Sequence, residues 1–121
     1  MELVYKTVVT EIGQKAKEFL AHNMFITFRG DAPEELKDYC FIHNENVLYK
    51  DIKKGDVLRI DGKMFNITSV GDAVNENMRN LGHITYKFNG ENEAQIAGTL
   101  FVESKEIPSM KVGSIIEIVR V

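Results

Sequence analysis

The chain has 121 residues, 44% of them hydrophobic and 27% charged, which fits one globular domain over 1–121 with enough apolar side chains to close a core. A formal net charge of -3 and a pI near 5.6 exclude the clustered basic surface that a nucleic-acid partner requires. The single cysteine, Cys40, rules out an intrachain disulfide and any multi-thiolate metal site, and it fits a reducing, cytoplasmic setting.

Leu3 to Ile12, rich in Val, Thr and Tyr, predicts a first strand, and Gly13 to Ala21 predicts a short helix from Ala16, Phe19 and Leu20. No basic leader precedes the strand. No apolar run is long enough to span a bilayer, so direct membrane insertion is not expected. Met24 to Phe28 predicts a second strand, and Asp31, Pro33, Glu34 and Glu35 signal a helical turn. The turn leads into the apolar run Tyr39-Cys40-Phe41-Ile42, which His43 ends. Val47 to Tyr49 is expected to pair back across the turn Asn44-Glu45-Asn46.

Val57 to Ile60 and Lys63 to Val70 predict a hairpin around Asp61-Gly62, a pair that tolerates the positive φ of a type I′ turn. Asp72 to Leu81 predicts a helix capped by its aspartate and stopped by Gly82. His83 to Phe88 alternates, with Ile84, Tyr86 and Phe88 on one face and His83, Thr85 and Lys87 on the other. Gly98 to Val102 and Ser114 to Val121 supply the last strands. The fold class is mainly all-β: a small antiparallel closed barrel or sandwich with one or two short helices. A short echo lines up Lys53-Lys54-Gly55-Asp56 with Lys111-Val112-Gly113-Ser114, each a Lys-x-Gly turn feeding a strand.

His43 stands where a buried run meets a polar turn, which suits proton handling, metal ligation or phosphoryl transfer. It is expected to be anchored from below, with one ring nitrogen held by a backbone carbonyl or by Asn44 and the other open to solvent. No His-x-His or His-Glu-x-x-His spacing accompanies it, so no metal is expected. Cys40 lies in an apolar run that disfavours its thiolate, and His22 reads as a solvated helix end. No glycine-rich phosphate loop or dinucleotide fingerprint is present, and no cofactor is expected.

The run Phe28-Arg29-Gly30-Asp31-Ala32-Pro33-Glu34-Glu35-Leu36, continued by Tyr39-Cys40-Phe41-Ile42-His43, resembles the glucitol/sorbitol-specific enzyme IIA component of the phosphoenolpyruvate-dependent sugar phosphotransferase system. Ser69-Val70-Gly71, Asn80-Leu81-Gly82-His83-Ile84-Thr85, Phe88-Asn89-Gly90 with Asn92-Glu93-Ala94, and Pro108 through Gly113-Ser114 extend the similarity along almost the whole chain. The resemblance implies a cytoplasmic phosphocarrier that accepts a phosphoryl group from HPr on His43 and passes it to the sorbitol-specific membrane IIB and IIC components. His83, with Thr85 and Lys87, is the candidate support for the phosphoryl oxygens, and Asn44 for the ring. The rival readings are a non-enzymatic barrel that binds a ligand or protein, with His43 structural, and a lone-histidine hydrolase.

Overall fold

The strands follow the period-two pattern of their sequences: Ile84, Tyr86 and Phe88 are buried while His83, Thr85 and Lys87 between them are half-exposed. The structure, a computed structural model, describes residues Met1–Val121. Its strands in chain order are β1 (Glu2–Ile12), β2 (Met24–Arg29), β3 (Phe41–His43), β4 (Val47–Leu48), β5 (Val57–Ile60), β6 (Lys63–Val70), β7 (Ile84–Phe88), β8 (Thr99–Val102) and β9 (Ile115–Arg120). A 3₁₀ segment, Ala16–His22, follows β1; α1 (Glu34–Lys37) precedes β3, and α2 (Val74–Leu81) precedes β7.

The strand order β3-β2-β7-β8-β6-β5-β9-β1 closes on itself because β1 also pairs with β3, giving an eight-stranded barrel. Closure removes the open sheet edges. Most pairings are antiparallel as expected, but β2–β3 and β7–β8 are parallel. β3 and β4 share one edge of β1, β3 along Val9 to Ile12 and β4 along Tyr5 and Lys6. Val47 and Leu48 therefore do not fold back on the strand before them. The Asn44-Glu45-Asn46 turn is an excursion that leaves and rejoins the same neighbour.

The barrel interior is aromatic and aliphatic: Phe25 stacks on Tyr86 at 4.5 Å between centroids and meets Phe41 edge-on, and Phe65 meets Phe88 likewise. Each such side chain contributes about 1.5–3 kcal/mol by leaving water. A smaller cluster of Phe28, Ala32, Cys40 and Ile42 lies on the other face of β2 and β3.

The Lys-x-Gly echo belongs to an internal two-fold pattern that runs through the whole barrel. Gly55 and Gly113 have φ of 95° and 96°, and Asp56 and Ser114 each accept a bond from the backbone N–H three residues earlier. Ile67 donates to the carbonyl of Asp56 as Val9 donates to that of Ser114. The correspondence continues outward. β6 pairs with β8 with a bulge after Ile67, as β1 pairs with β3 with a bulge after Val9. β7 runs parallel to β8 as β2 runs parallel to β3. The 3₁₀ segment ends at Asn23 with φ 59°, and α2 ends at Gly82 with φ 61°. By register His43 corresponds to Val102, Arg29 to Phe88, and Thr7 to Phe65.

Two local expectations change. α2 begins at Val74 with Ala73 at its N-cap and no side-chain cap, so Asp72 does not close it. The segment after β1 is a 3₁₀ rather than an α-helix.

Candidate functional site

β3 is three residues long and wholly buried. Phe41 enters the barrel core and Ile42 the outer cluster, so alternation turns His43 back inside the barrel. Its backbone pairs with Val9 at the β1 bulge on one side and with Arg29 on the other. The ring thus sits at the seam where the barrel closes.

Only 1% of His43 is exposed, and both ring nitrogens are engaged. Nε2 lies 2.7 Å from the Gly82 carbonyl oxygen and Nδ1 lies 2.8 Å from Thr7 Oγ1. A carbonyl can only accept, so Nε2 carries the hydrogen and Nδ1 accepts from the Thr7 hydroxyl. Burial holds the ring below the ordinary histidine pKa, the Gly82 carbonyl opposes that shift, and the nearby Arg29 charge adds to it. His43 is a neutral imidazole of one fixed tautomer.

The expectation of a nitrogen open to solvent above the turn is therefore corrected. The cause is the corner between α2 and β7. Gly82 is left-handed there, and a Cβ at that position would lie 2.7 Å from His43 Cε1 and 3.2 Å from Arg29 Cβ. Only glycine lets the backbone approach the ring so closely. Below it, Asn46 accepts from Tyr5 Oη at 2.8 Å and donates to the Met78 carbonyl at 2.6 Å, tying the turn to α2.

The other residues named from sequence stand apart from the ring. His83 stacks on Phe28 with centroids 4.1 Å apart and donates from Nδ1 to the Thr27 carbonyl at 3.0 Å. Phe28 belongs to the outer cluster, so the His83 ring lies on the opposite face of the wall from His43. Thr85 and Lys87 share that outer face by alternation. Asn44 is exposed and its amide packs against Gly30; the ring contacts expected of it are made by Thr7 and Gly82. His22 is exposed. Cys40 is buried, which pushes its thiol up to about 11. No three His, Cys, Asp or Glu side chains come together as metal ligands would.

Sequence reasoning missed Thr7, Gly82 and Arg29. Thr7 was legible as the hydroxyl among the inward-facing Tyr5, Thr7 and Val9 of β1. Gly82 was read only as a helix stop. Arg29, which sequence reading gave no role, sends Nη2 to the Asn80 carbonyl at 2.8 Å and Nε to Asp31 at 3.2 Å, with 31% of its side chain exposed. It stands at the rim, beside the corner that covers His43.

The exposed apolar side chains near this corner are Leu81 and Val47. Phe41, Ile42 and Met78 are buried and offer nothing to a partner.

Residues 4–117 match the family model for the PTS system glucitol/sorbitol-specific IIA component. The glucitol/sorbitol-specific EIIA components of Shigella flexneri and of Escherichia coli K12 are each 36% identical over 117 residues, covering 97% of this chain and 95% of theirs. The crystal structure of a PTS system IIA component from Enterococcus faecalis V583 shares the fold, with a TM-score of 0.81 at 24% identity, over 95% of this chain and 99% of that one. No helix here is long and apolar enough to cross a membrane. The chain belongs to the glucitol/sorbitol-specific IIA family, the phosphocarriers of a sugar phosphotransferase system that work between its other phosphocarriers and the sugar-specific IIB component.

Proposed function

We propose that His43 is the residue that carries the phosphoryl group, received from phospho-HPr and delivered to a sorbitol-specific IIB domain of the membrane transporter. The observation that carries this reading is a neutral, tautomer-fixed imidazole at the seam of a barrel in this family. Neutral imidazole is the nucleophilic form, and burial preserves it at cytoplasmic pH.

In the step itself a His43 ring nitrogen gives its lone pair to phosphorus. The donor nitrogen–phosphorus bond breaks, and the donor ring keeps that electron pair. One proton leaves the His43 ring and one joins the donor ring. Discharge to IIB repeats the exchange with His43 as the donor. The transfer needs in-line approach and support for the equatorial oxygens.

The closed geometry sets the requirement for reaction: one nitrogen must be uncovered. Thr7 is fully buried, whereas the Gly82 corner adjoins the half-exposed Arg29 and the exposed Asn80 and Leu81. Displacing that corner frees Nε2, and Nδ1 then takes the hydrogen and donates to Thr7. His83 and Thr85 keep a place in the proposal only as groups that such a movement brings round. Residues 1–121 act as one cytoplasmic unit, a reading supported by the family match across 4–117.

A second reading, in which His43 is a structural node, draws on its burial and its two satisfied nitrogens. One experiment separates the two. The protein is incubated with phosphoenolpyruvate, enzyme I and HPr, and an acid-labile, base-stable phosphate is sought. Carriage on His43 predicts labelling that vanishes in a folded His43→Gln variant. Labelling that persists in His43→Gln leaves His43 with the structural role alone.

A further inference from the structure

We propose that Arg29 is the cation of this site, passing from its contacts at the α2–β7 corner to the phosphoryl oxygens when the corner opens. The inference rests on His43 as the phosphoryl carrier and assigns the charge partner that the transferred group needs.

Placement comes first. Arg29 and His43 are register partners on adjacent parallel strands, and the inward-facing side of β2 carries Phe25, Thr27 and Arg29 in alternation. The Arg29 Cβ stands 3.2 Å from where a Gly82 Cβ would lie, and His43 Nε2 stands 3.0 Å from the same point. One backbone corner therefore separates the guanidinium stem from the imidazole. Arg29 supplies the neighbouring charge that acts on the His43 ring.

The present partners of the guanidinium are easily given up. Nη2 meets the Asn80 carbonyl, one of the last carbonyls of α2, and Asp31, whose side chain is 68% exposed, holds Nε and Nη2 at 3.2 and 3.3 Å. An exposed pair of this kind is weak. A phosphoryl group offers charge and a fork of oxygens that suits a guanidinium better than either. The same movement that takes the Gly82 carbonyl off His43 takes the Asn80 carbonyl, two residues away, off Arg29. Uncovering the nucleophile and freeing the cation are one event.

The internal two-fold pattern gives an independent argument. At the positions corresponding to Thr7, Arg29 and His43, the other half of the barrel carries Phe65, Phe88 and Val102, all buried and apolar. A barrel of this shape packs with a phenylalanine where Arg29 stands. The charge at Arg29 is thus not required by the architecture, and it coincides with the only half that also carries the histidine and its hydroxyl partner.

The test uses the full chain with phosphoenolpyruvate, enzyme I and HPr. Arg29→Met keeps an apolar stem at a position whose counterpart is apolar, and Arg29→Lys keeps the charge. Phosphorylation of Arg29→Met is expected to slow about 100-fold at saturating phospho-HPr, the loss typical of removing one charge-stabilising donor, with Arg29→Lys recovering part of it. Asp31→Asn removes only the exposed counter-ion and should equal or exceed the parent. The decisive readout is phosphorus NMR of the phosphorylated proteins. Contact with Arg29 predicts that the phosphate titrates at higher pH in Arg29→Met than in the parent or Arg29→Lys.

Parent-like rates in Arg29→Met, or a phosphate titration unmoved by it, overturn the proposal for Arg29 while leaving His43 as carrier. If Arg29→Met fails to fold, Arg29→Gln, which also removes the charge, takes its place in both measurements, and parent-like rates or an unmoved titration there overturn the proposal equally. Absence of phosphate from the parent chain sinks the reading of His43 and this inference together.

Discussion

The chemistry of the site turns on whether one ring is neutral or charged, and His43 is held neutral by burial. The sign of the consequence is fixed by linkage. The folded ring resists protonation below the ordinary value of 6.5, while the unfolded ring accepts it, so stability falls as pH drops from about 6.5 toward the folded pKa. Urea unfolding of the parent between pH 7 and 5 should show that slope, and a folded His43→Gln variant should lose most of it. The ring protons, followed by NMR, should titrate below 6.5 in the parent. Gly82→Ala adds both a left-handed alanine and a methyl against His43 Cε1; a cost of about 1–3 kcal/mol is expected in urea unfolding, with a changed imidazole nitrogen spectrum. His43 was legible because an apolar run ends on it. Its enclosure was not, since the covering carbonyl of Gly82 is distant in the chain and no side-chain pattern marks a backbone acceptor.

At the level of elements, corners and turns decide where strands go. The Lys-x-Gly turns before β5 and β9 share their φ and their side-chain-to-backbone bond, and a Cβ at either glycine meets nothing within 4 Å. Gly55→Ala and Gly113→Ala should therefore each cost about 1–2 kcal/mol from backbone strain alone, and nearly equally, as measured by chemical denaturation. Unequal costs would mean that the turns are not equivalent. The hairpin at Asp61-Gly62 was readable from its dipeptide, and both residues do have positive φ, 49° and 86°. The partner of β4 was not readable. Val47 and Leu48 look like a return strand, yet Asn46, bonded to Tyr5 and Met78, redirects them to β1. Likewise His83, Thr85 and Lys87 do share a face, but alternation alone does not say whether that face looks into or out of a barrel.

Across the whole molecule, mainly β architecture followed from many short strands, while the choice of closed barrel over sandwich and the two parallel joints required pairings between segments far apart in sequence. The short echo in the two turns was the visible end of a pattern whose other members differ in side chain and agree only in hydrogen bonding. That divergence predicts opposite behaviour at matched positions. Thr7→Val should cost about 1 kcal/mol of stability, the net value of one hydrogen bond, and slow phosphorylation. Phe65→Ala, its counterpart, should cost about 3–5 kcal/mol and leave the phosphorylation rate of the folded fraction near the parent value. Denaturation and transfer assays on the two variants check the contrast.

The two-fold pattern also separates two tasks that a small core usually forces on the same residues. A buried histidine, a buried hydroxyl and a rim cation all weaken a hydrophobic interior, yet here the apolar triplet Phe65, Phe88 and Val102 anchors the same corner geometry a second time. The half that carries Phe65, Phe88 and Val102 holds the barrel shut with apolar contacts alone, so the polar groups of the other half need not serve the packing.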